Sequence, residues 1–150
     1  MTASTHLIFV YGSLLPGELH HHILSGSPHL GKAETQPCYR LVELGPFPAL
    51  IRGRYAIRGE LYRIDSEVRR QLDVLKEHPR LFHRAAVELN LDAPQPPAPG
   101  LAPAELALVE SYMMLEEQVR GRRRLKVSDW RERFARQLPT ADWERPRRLR

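Results

Sequence analysis

The sequence predicts an α+β fold, a mixed and mostly antiparallel sheet curled into a small barrel with one or two packed helices. Three observations lead there. Short β-prone runs separated by Pro and Gly follow one another up to Ile64. Helical spacing is clear in only one segment, after Asp65, and there is no internal repeat. A chain of 150 residues suits one compact domain, large enough to bury a core without disulfides or metal.

Taken in order, Leu7 to Tyr11 is an apolar run ended by Gly12 and Ser13, and reads as a buried first strand entering a turn. Pro16 and Gly17 break the chain. Glu18 to Leu24 can form a brief helix with Leu19 and Ile23 on one face. Strands are expected at Tyr39 to Leu44, Ala49 to Arg52 and Tyr55 to Ile64. Asp65 or Ser66 can cap the next segment, where Val68, Leu72 and Leu75 keep helical spacing until Pro79. Leu81 to Leu91 returns to strand character, and the Pro-rich stretch from Asp92 to Pro103 reads as a connecting loop. Glu105 to Leu115 is expected as the last long strand, and Asp129 to Leu138 as a short terminal helix. The domain therefore spans 1–138, and 139–150 is a basic tail expected to be irregular.

Residues 120–150 hold twelve Arg and Lys against four acids, a balance of +8 that leaves −3 for the rest of a chain of net charge +5. The basicity is a property of the C-terminal end. Such a block reads first as a solvated surface; no recognised nucleic-acid motif accompanies it, so a nucleic-acid partner is not expected. One cysteine, Cys38, excludes an internal disulfide. No apolar stretch approaches the roughly 20 residues a membrane helix needs, and the expectation is a soluble, cytoplasmic protein without a membrane partner.

The chemistry-bearing features begin at the first turn. Glycine at 12 lets the backbone approach a ligand closely, and consecutive N–H groups at Gly12, Ser13 and Leu14 can form an anion-binding nest. The run His20-His21-His22 invites a metal reading, but three consecutive side chains splay apart and no spaced ligand set accompanies them. Cys38 has no evident base partner and reads as an inert buried thiol.

Four ordered pieces of the chain resemble the γ-glutamylcyclotransferase-like (AIG2-like) family. They are the Phe-Val-Tyr-Gly-Ser-Leu-Leu run at 9–15, the Gly-Pro-Phe-Pro-Ala-Leu turn at 45–50, the Arg-Gly-Glu-Leu-Tyr-Arg-Ile strand at 58–64, and Leu72-Asp73 joined to Phe82-His83-Arg84 across Pro79. Val127-Ser128-Asp129-Trp130 is a weaker fifth piece. The resemblance implies an enzyme that cleaves a γ-glutamyl amide by attack of the substrate's own α-amine, giving 5-oxoproline and a free amine. It implies a small-molecule γ-glutamyl compound as partner and no metal or organic cofactor, and leaves the oligomeric state open. Such a reaction needs a proton acceptor, a folded substrate and donors for the carboxylate or oxyanion. The turn Gly12, Ser13 and Leu14 would supply the donors and Tyr11 would wall the pocket. Tyr112 reads equally as core packing and as ligand contact.

At one position the chain departs from the family. The acid/base glutamate expected four residues after Leu72 and six before Phe82 is Lys76, and Glu77 lies one residue late. On a continuous helix that residue turns the side chain by about 100°. Glu77 is the candidate catalytic residue if the helix unwinds before Pro79 and lets it swing inward. Lys76 could act instead if burial lowers its pKa, or the site could lack this chemistry and only bind a small carboxylate or a protein partner. Glu60 is a further carboxylate that could support the pocket.

Overall fold

The computed structural model describes residues 4–93 and 101–134. The sheet is built around β1, Thr5–Val10, which carries the apolar run Leu7, Ile8, Phe9 and Val10 and buries all four. An apolar run buried on both faces is what a central strand requires. β1 pairs antiparallel with β5, Arg58–Asp65, and parallel with β7, Glu110–Met113. Outside β5 lies β2, His29–Glu34, and beyond β7 lies the hairpin of β3, Tyr39–Glu43, and β4, Pro48–Arg52. The order is thus β2-β5-β1-β7-β4-β3, with β6, His83–Ala86, paired to β7. The sheet is mixed and mostly antiparallel, and it curls into an open half-barrel.

Two glycines are dictated by close approach. A side chain at Gly59 would put its Cβ 2.1 Å from the Val10 carbonyl oxygen, so β5 and β1 could not meet there. At Gly12 a Cβ would fall 2.6 Å from the Pro48 ring, which locks the first turn against the start of β4. Real Cβ atoms are not found so close to their neighbours.

α1 spans Ser66–Leu75, and Asp65 caps it by accepting the Val68 amide at 2.8 Å. Leu72 buries its side chain in the core. The chain leaves the α-helix at Lys76, well short of Pro79, because Glu77 takes a left-handed conformation, φ 51°.

Several expected elements are shorter or different. The segment 105–115 is not one strand: Pro103–Leu106 forms a short helix, α2, and β7 begins at Glu110. Pro103 suits the first helical turn and the Glu105 carboxylate accepts the Ala102 amide at 3.1 Å, so local capping prevails over strand character. The strand expected from Tyr55 starts at Arg58, since Tyr55 exchanges backbone hydrogen bonds with Tyr39 as an isolated bridge. The segment 81–91 is a strand only at His83–Ala86. In place of a helix at 18–24 there is a single 3₁₀ turn, His21–Leu24. Another at Trp130–Glu132 stands at the start of the expected terminal helix, whose residues 135–138 lie outside the described residues, as does the tail 139–150. Among the described residues no helix is long and apolar enough to cross a membrane.

Candidate functional site

The end of β1 delivers Tyr11 and the turn into the middle of the sheet. Tyr11 donates its hydroxyl to the Tyr112 carbonyl at 2.7 Å and accepts the Leu50 amide at 3.2 Å, tying β1, β7 and β4 together. Its burial pushes the phenol far up, so it stays a neutral donor. After it, the Leu15 amide returns to the Gly12 carbonyl at 3.0 Å and closes the turn. The Ser13 and Leu14 amides donate to no acceptor among the described residues. Ser13 itself is buried, and its hydroxyl lies 3.0 Å from His20 Nδ1.

A small cavity of about 10 Å³ sits against this turn, lined by Tyr11, Gly12, Ser13, Leu14, Tyr112 and Lys76 among others. That is room for about one water molecule. The five expected binding residues are therefore gathered around one space, and Lys76 lines it with them. Its side chain is buried, with Nζ 4.7 Å from the centre of the Phe82 ring and 5.9 Å from that of Phe47. No ion pair joins it to a carboxylate among the described residues. Burial lowers its pKa to about 8.

The backbone explains why Lys76 and not Glu77 lines this space. Lys76 still has a helical amide bond, to the Leu72 carbonyl at 2.9 Å, so its side chain leaves on the core face. Glu77 then turns left-handed, and the Phe82 amide returns to the Lys76 carbonyl at 3.2 Å. That closure sets the Phe82 ring beneath the amine. Glu77 points outward, half-exposed, and pairs with Arg80. The helix does unwind ahead of Pro79, but the unwinding carries Glu77 away from the turn.

Tyr112 is buried and lines the cavity, while its hydroxyl donates to Asp73 Oδ1 at 2.6 Å. Arg84 forks onto the same carboxylate at 2.8 and 3.3 Å. Burial alone would raise the Asp73 carboxyl, but the Arg84 and Tyr112 bonds outweigh it and hold it below the ordinary range. The Asp73, Arg84 and Tyr112 set thus clamps α1, β6 and β7 beside the cavity.

Glu60 is buried and fully engaged, accepting from His29 at 2.5 Å and Arg131 at 2.9 Å, and it does not line the turn cavity. A wider opening of about 450 Å³ lies on that side of the sheet, lined by Lys32, Glu34, Arg58, Asp129, Arg131 and Glu132 among others. Its arginines are paired with its own acids, Arg58 with Glu132 at 2.8 Å and Arg131 with Asp129 at 3.0 Å. Trp130 is buried, with its indole N–H on Glu18 at 3.2 Å; Trp143 lies outside the described residues. Cys38 is only half-buried, with Arg52 Nη1 3.9 Å from its sulfur. Among the described residues no group of three or more His, Cys, Asp or Glu is placed to hold a metal ion.

Sequence reasoning weighed His20 and His21 only as metal ligands and did not place them at the turn. His20 bonds Ser13, and His21 Nδ1 donates to the Leu14 carbonyl at 2.8 Å, so both brace the turn. No sequence signal marks this, because only the fold shows that the chain doubles back over the turn.

The family model described as γ-glutamyl cyclotransferase, AIG2-like, matches residues 8–132. A Vibrio cholerae protein provisionally named a γ-glutamylcyclotransferase is 42% identical over 83 residues, covering 55% of this chain and 72% of its own. The γ-glutamylaminecyclotransferase of Homo sapiens is 31% identical over 112 residues, covering 62% of this chain and 71% of its own. In solved structures, a uropathogenic E. coli-specific protein superposes with TM-score 0.67 at 19% identity, over 88% of this chain and 97% of its own. An AIG2-like protein from Mus musculus gives 0.58 at 22% identity, over 73% and 77%. The structural likenesses speak to the fold, and the sequence matches to descent: the chain belongs to the AIG2-like γ-glutamyl cyclotransferase family.

Proposed function

We propose that this protein binds a γ-glutamyl amide at the Gly12-Ser13-Leu14 turn and closes it to 5-oxoproline, releasing the amine. The observation that carries this reading is the cavity that buried Lys76 shares with the turn, whose Ser13 and Leu14 amides have no acceptor among the described residues. A cation and two free donors in one cavity call for a ligand with a carboxylate and a carbonyl. Lys76 pairs with the α-carboxylate, and the Ser13 and Leu14 amides receive the γ-carbonyl oxygen as it gains charge. Anchoring both ends of the flexible glutamyl chain brings the α-nitrogen toward the γ-carbon. Since the cavity of about 10 Å³ is too small for a γ-glutamyl amide, the flexible Lys76 stem draws aside onto the carboxylate as substrate enters.

A second reading is favoured by a specific observation, the two aromatic rings that hold Lys76 as a cation. A charged lysine is an anchor and a poor base, so the pocket could retain a small carboxylate without turnover. One experiment separates the two. The protein is incubated with a panel of γ-glutamyl amines, dipeptides and amino acids, 5-oxoproline is assayed, and binding of the same compounds is followed by calorimetry. Product formation that is lost in Lys76→Met and kept in Glu77→Gln supports the cyclotransferase. Saturable binding without product from any compound overturns it in favour of the binding protein. Loss of activity in Glu77→Gln would return the catalytic role to that carboxylate.

A further inference from the structure

The cavity holds a cation where a proton acceptor is needed, and a group suited to that task comes from the histidine run. His20 is fixed to the turn twice: its amide donates to the Ser13 carbonyl at 2.8 Å, and its Nδ1 lies 3.0 Å from Ser13 Oγ. Ser13 is buried and lines the same cavity as Lys76, while His20 is half-buried and is not among the residues that line it. Ser13 therefore links the cavity to a partly exposed imidazole. We propose that Ser13 and His20 form a proton relay that replaces the missing carboxylate, Ser13 Oγ touching substrate and His20 holding the proton. This rests on the cyclotransferase reading. His20 acts through Ser13 and is a positioning residue in that sense.

The electrostatics suit the role. Burial, then the nearby Lys76 charge, then His22 lower the His20 pKa, so the imidazole is neutral and able to accept at neutral pH. The same lysine that anchors the substrate keeps the acceptor empty. For Nδ1 to accept, the imidazole proton must sit on Nε2, and the Ser13 hydroxyl then donates to His20 Nδ1. Ser13 Oγ takes a proton from the α-ammonium as its own passes to Nδ1. The freed amine attacks the γ-carbon, forming the ring C–N bond and an oxyanion. The relay returns that proton to the leaving nitrogen, and the old C–N bond breaks. A second proton, from the ring nitrogen, follows the same route, so the amine departs as an ammonium and the lactam keeps one N–H. Atoms and charge balance with no further reagent.

The test uses the full-length chain with the γ-glutamyl compound it turns over fastest. His20→Ala is expected to lower kcat about 100-fold or more, the scale of general-base loss, with KM little changed and activity restored by added imidazole. Ser13→Ala is expected to lose activity that imidazole does not restore. Full activity in His20→Ala, or a loss that imidazole cannot rescue while ¹⁵N spectra show the turn intact, overturns the relay. If the parent protein makes no 5-oxoproline, the function falls first, and imidazole ¹⁵N shifts of His20 in the unmodified chain decide the relay by themselves. A neutral ring protonated at Nε2 with Nδ1 accepting supports it; a ring charged at pH 7, or protonated at Nδ1, overturns it.

Discussion

Lys76 is held in place against its own desolvation. Its pKa of about 8 in the folded chain lies below the ordinary 10.5, so the unfolded chain binds the proton more tightly. The penalty is complete below pH 8 and disappears as pH rises to the unfolded value. The gap corresponds to about 3 kcal/mol at most, and the attraction of the Phe82 ring for the ammonium already offsets part of the burial cost. Lys76→Met is therefore expected to be more stable than the parent at pH 7, by about 2 kcal/mol, with the difference shrinking between pH 8 and 10.5. Urea unfolding across that range measures it; a less stable variant would mean the ammonium has a partner in the folded state. At Tyr112 the sign is opposite. The bond to Asp73 helps keep that carboxyl low, which stabilises the fold above the ordinary carboxylate pKa and is lost in acid. Tyr112→Phe should cost about 1 kcal/mol at neutral pH and move acid unfolding to higher pH, read by circular dichroism.

Among the elements, the first turn depends on packing between segments distant in sequence. A Cβ at position 12 meets the Pro48 ring, so Gly12→Ala must push β1 and β4 apart, at a cost of about 1–3 kcal/mol. The thermal midpoint should fall accordingly, and an unchanged one would mean the Pro48 ring gives way freely. The α1 cap is a local matter: Asp65→Ala removes the acceptor for Val68 and should cost about 1 kcal/mol. Cap, helix and the β3–β4 hairpin were legible in the sequence because each is set by neighbouring residues. β2, with the sequence His-Leu-Gly-Lys-Ala-Glu, was not. It has little strand propensity of its own and exists because β5 offers an unpaired edge. The shortening of the last strand was hidden for a related reason, since a run of apolar residues cannot by itself distinguish a capped helical turn from a strand.

Over the molecule as a whole, the described C-terminal end latches the loop that follows the site. Trp130 is buried with its N–H on Glu18, and Arg133 stacks on the indole at 4.0 Å while donating to Glu18 at 3.2 Å. Arg131 reaches the buried Glu60 of β5. Residues 129–133 thus hold the segment that carries His20 and His21 against the sheet. Trp130→Ala is expected to cost about 3–5 kcal/mol and to speed amide exchange across 14–24 more than in β3 and β4. Uniform exchange would show that the loop holds itself.

What the sequence by itself determined is the fold family and the members of the pocket at the first turn, Tyr11 to Leu14. The turn at 11–14, the Pro48 turn and the strand at 58–64 each carry a local conformational demand that a linear reading can recognise. That Lys76 occupies the acid/base position was also countable from Leu72 and Phe82. Where its side chain goes, and that Glu77 turns outward to Arg80, was decided only by the tertiary structure, because one left-handed residue after a helix redirects everything beyond it. The same holds for His20: its bond to Ser13 arises where the chain folds back over the turn, and spacing along the sequence carries no record of that return.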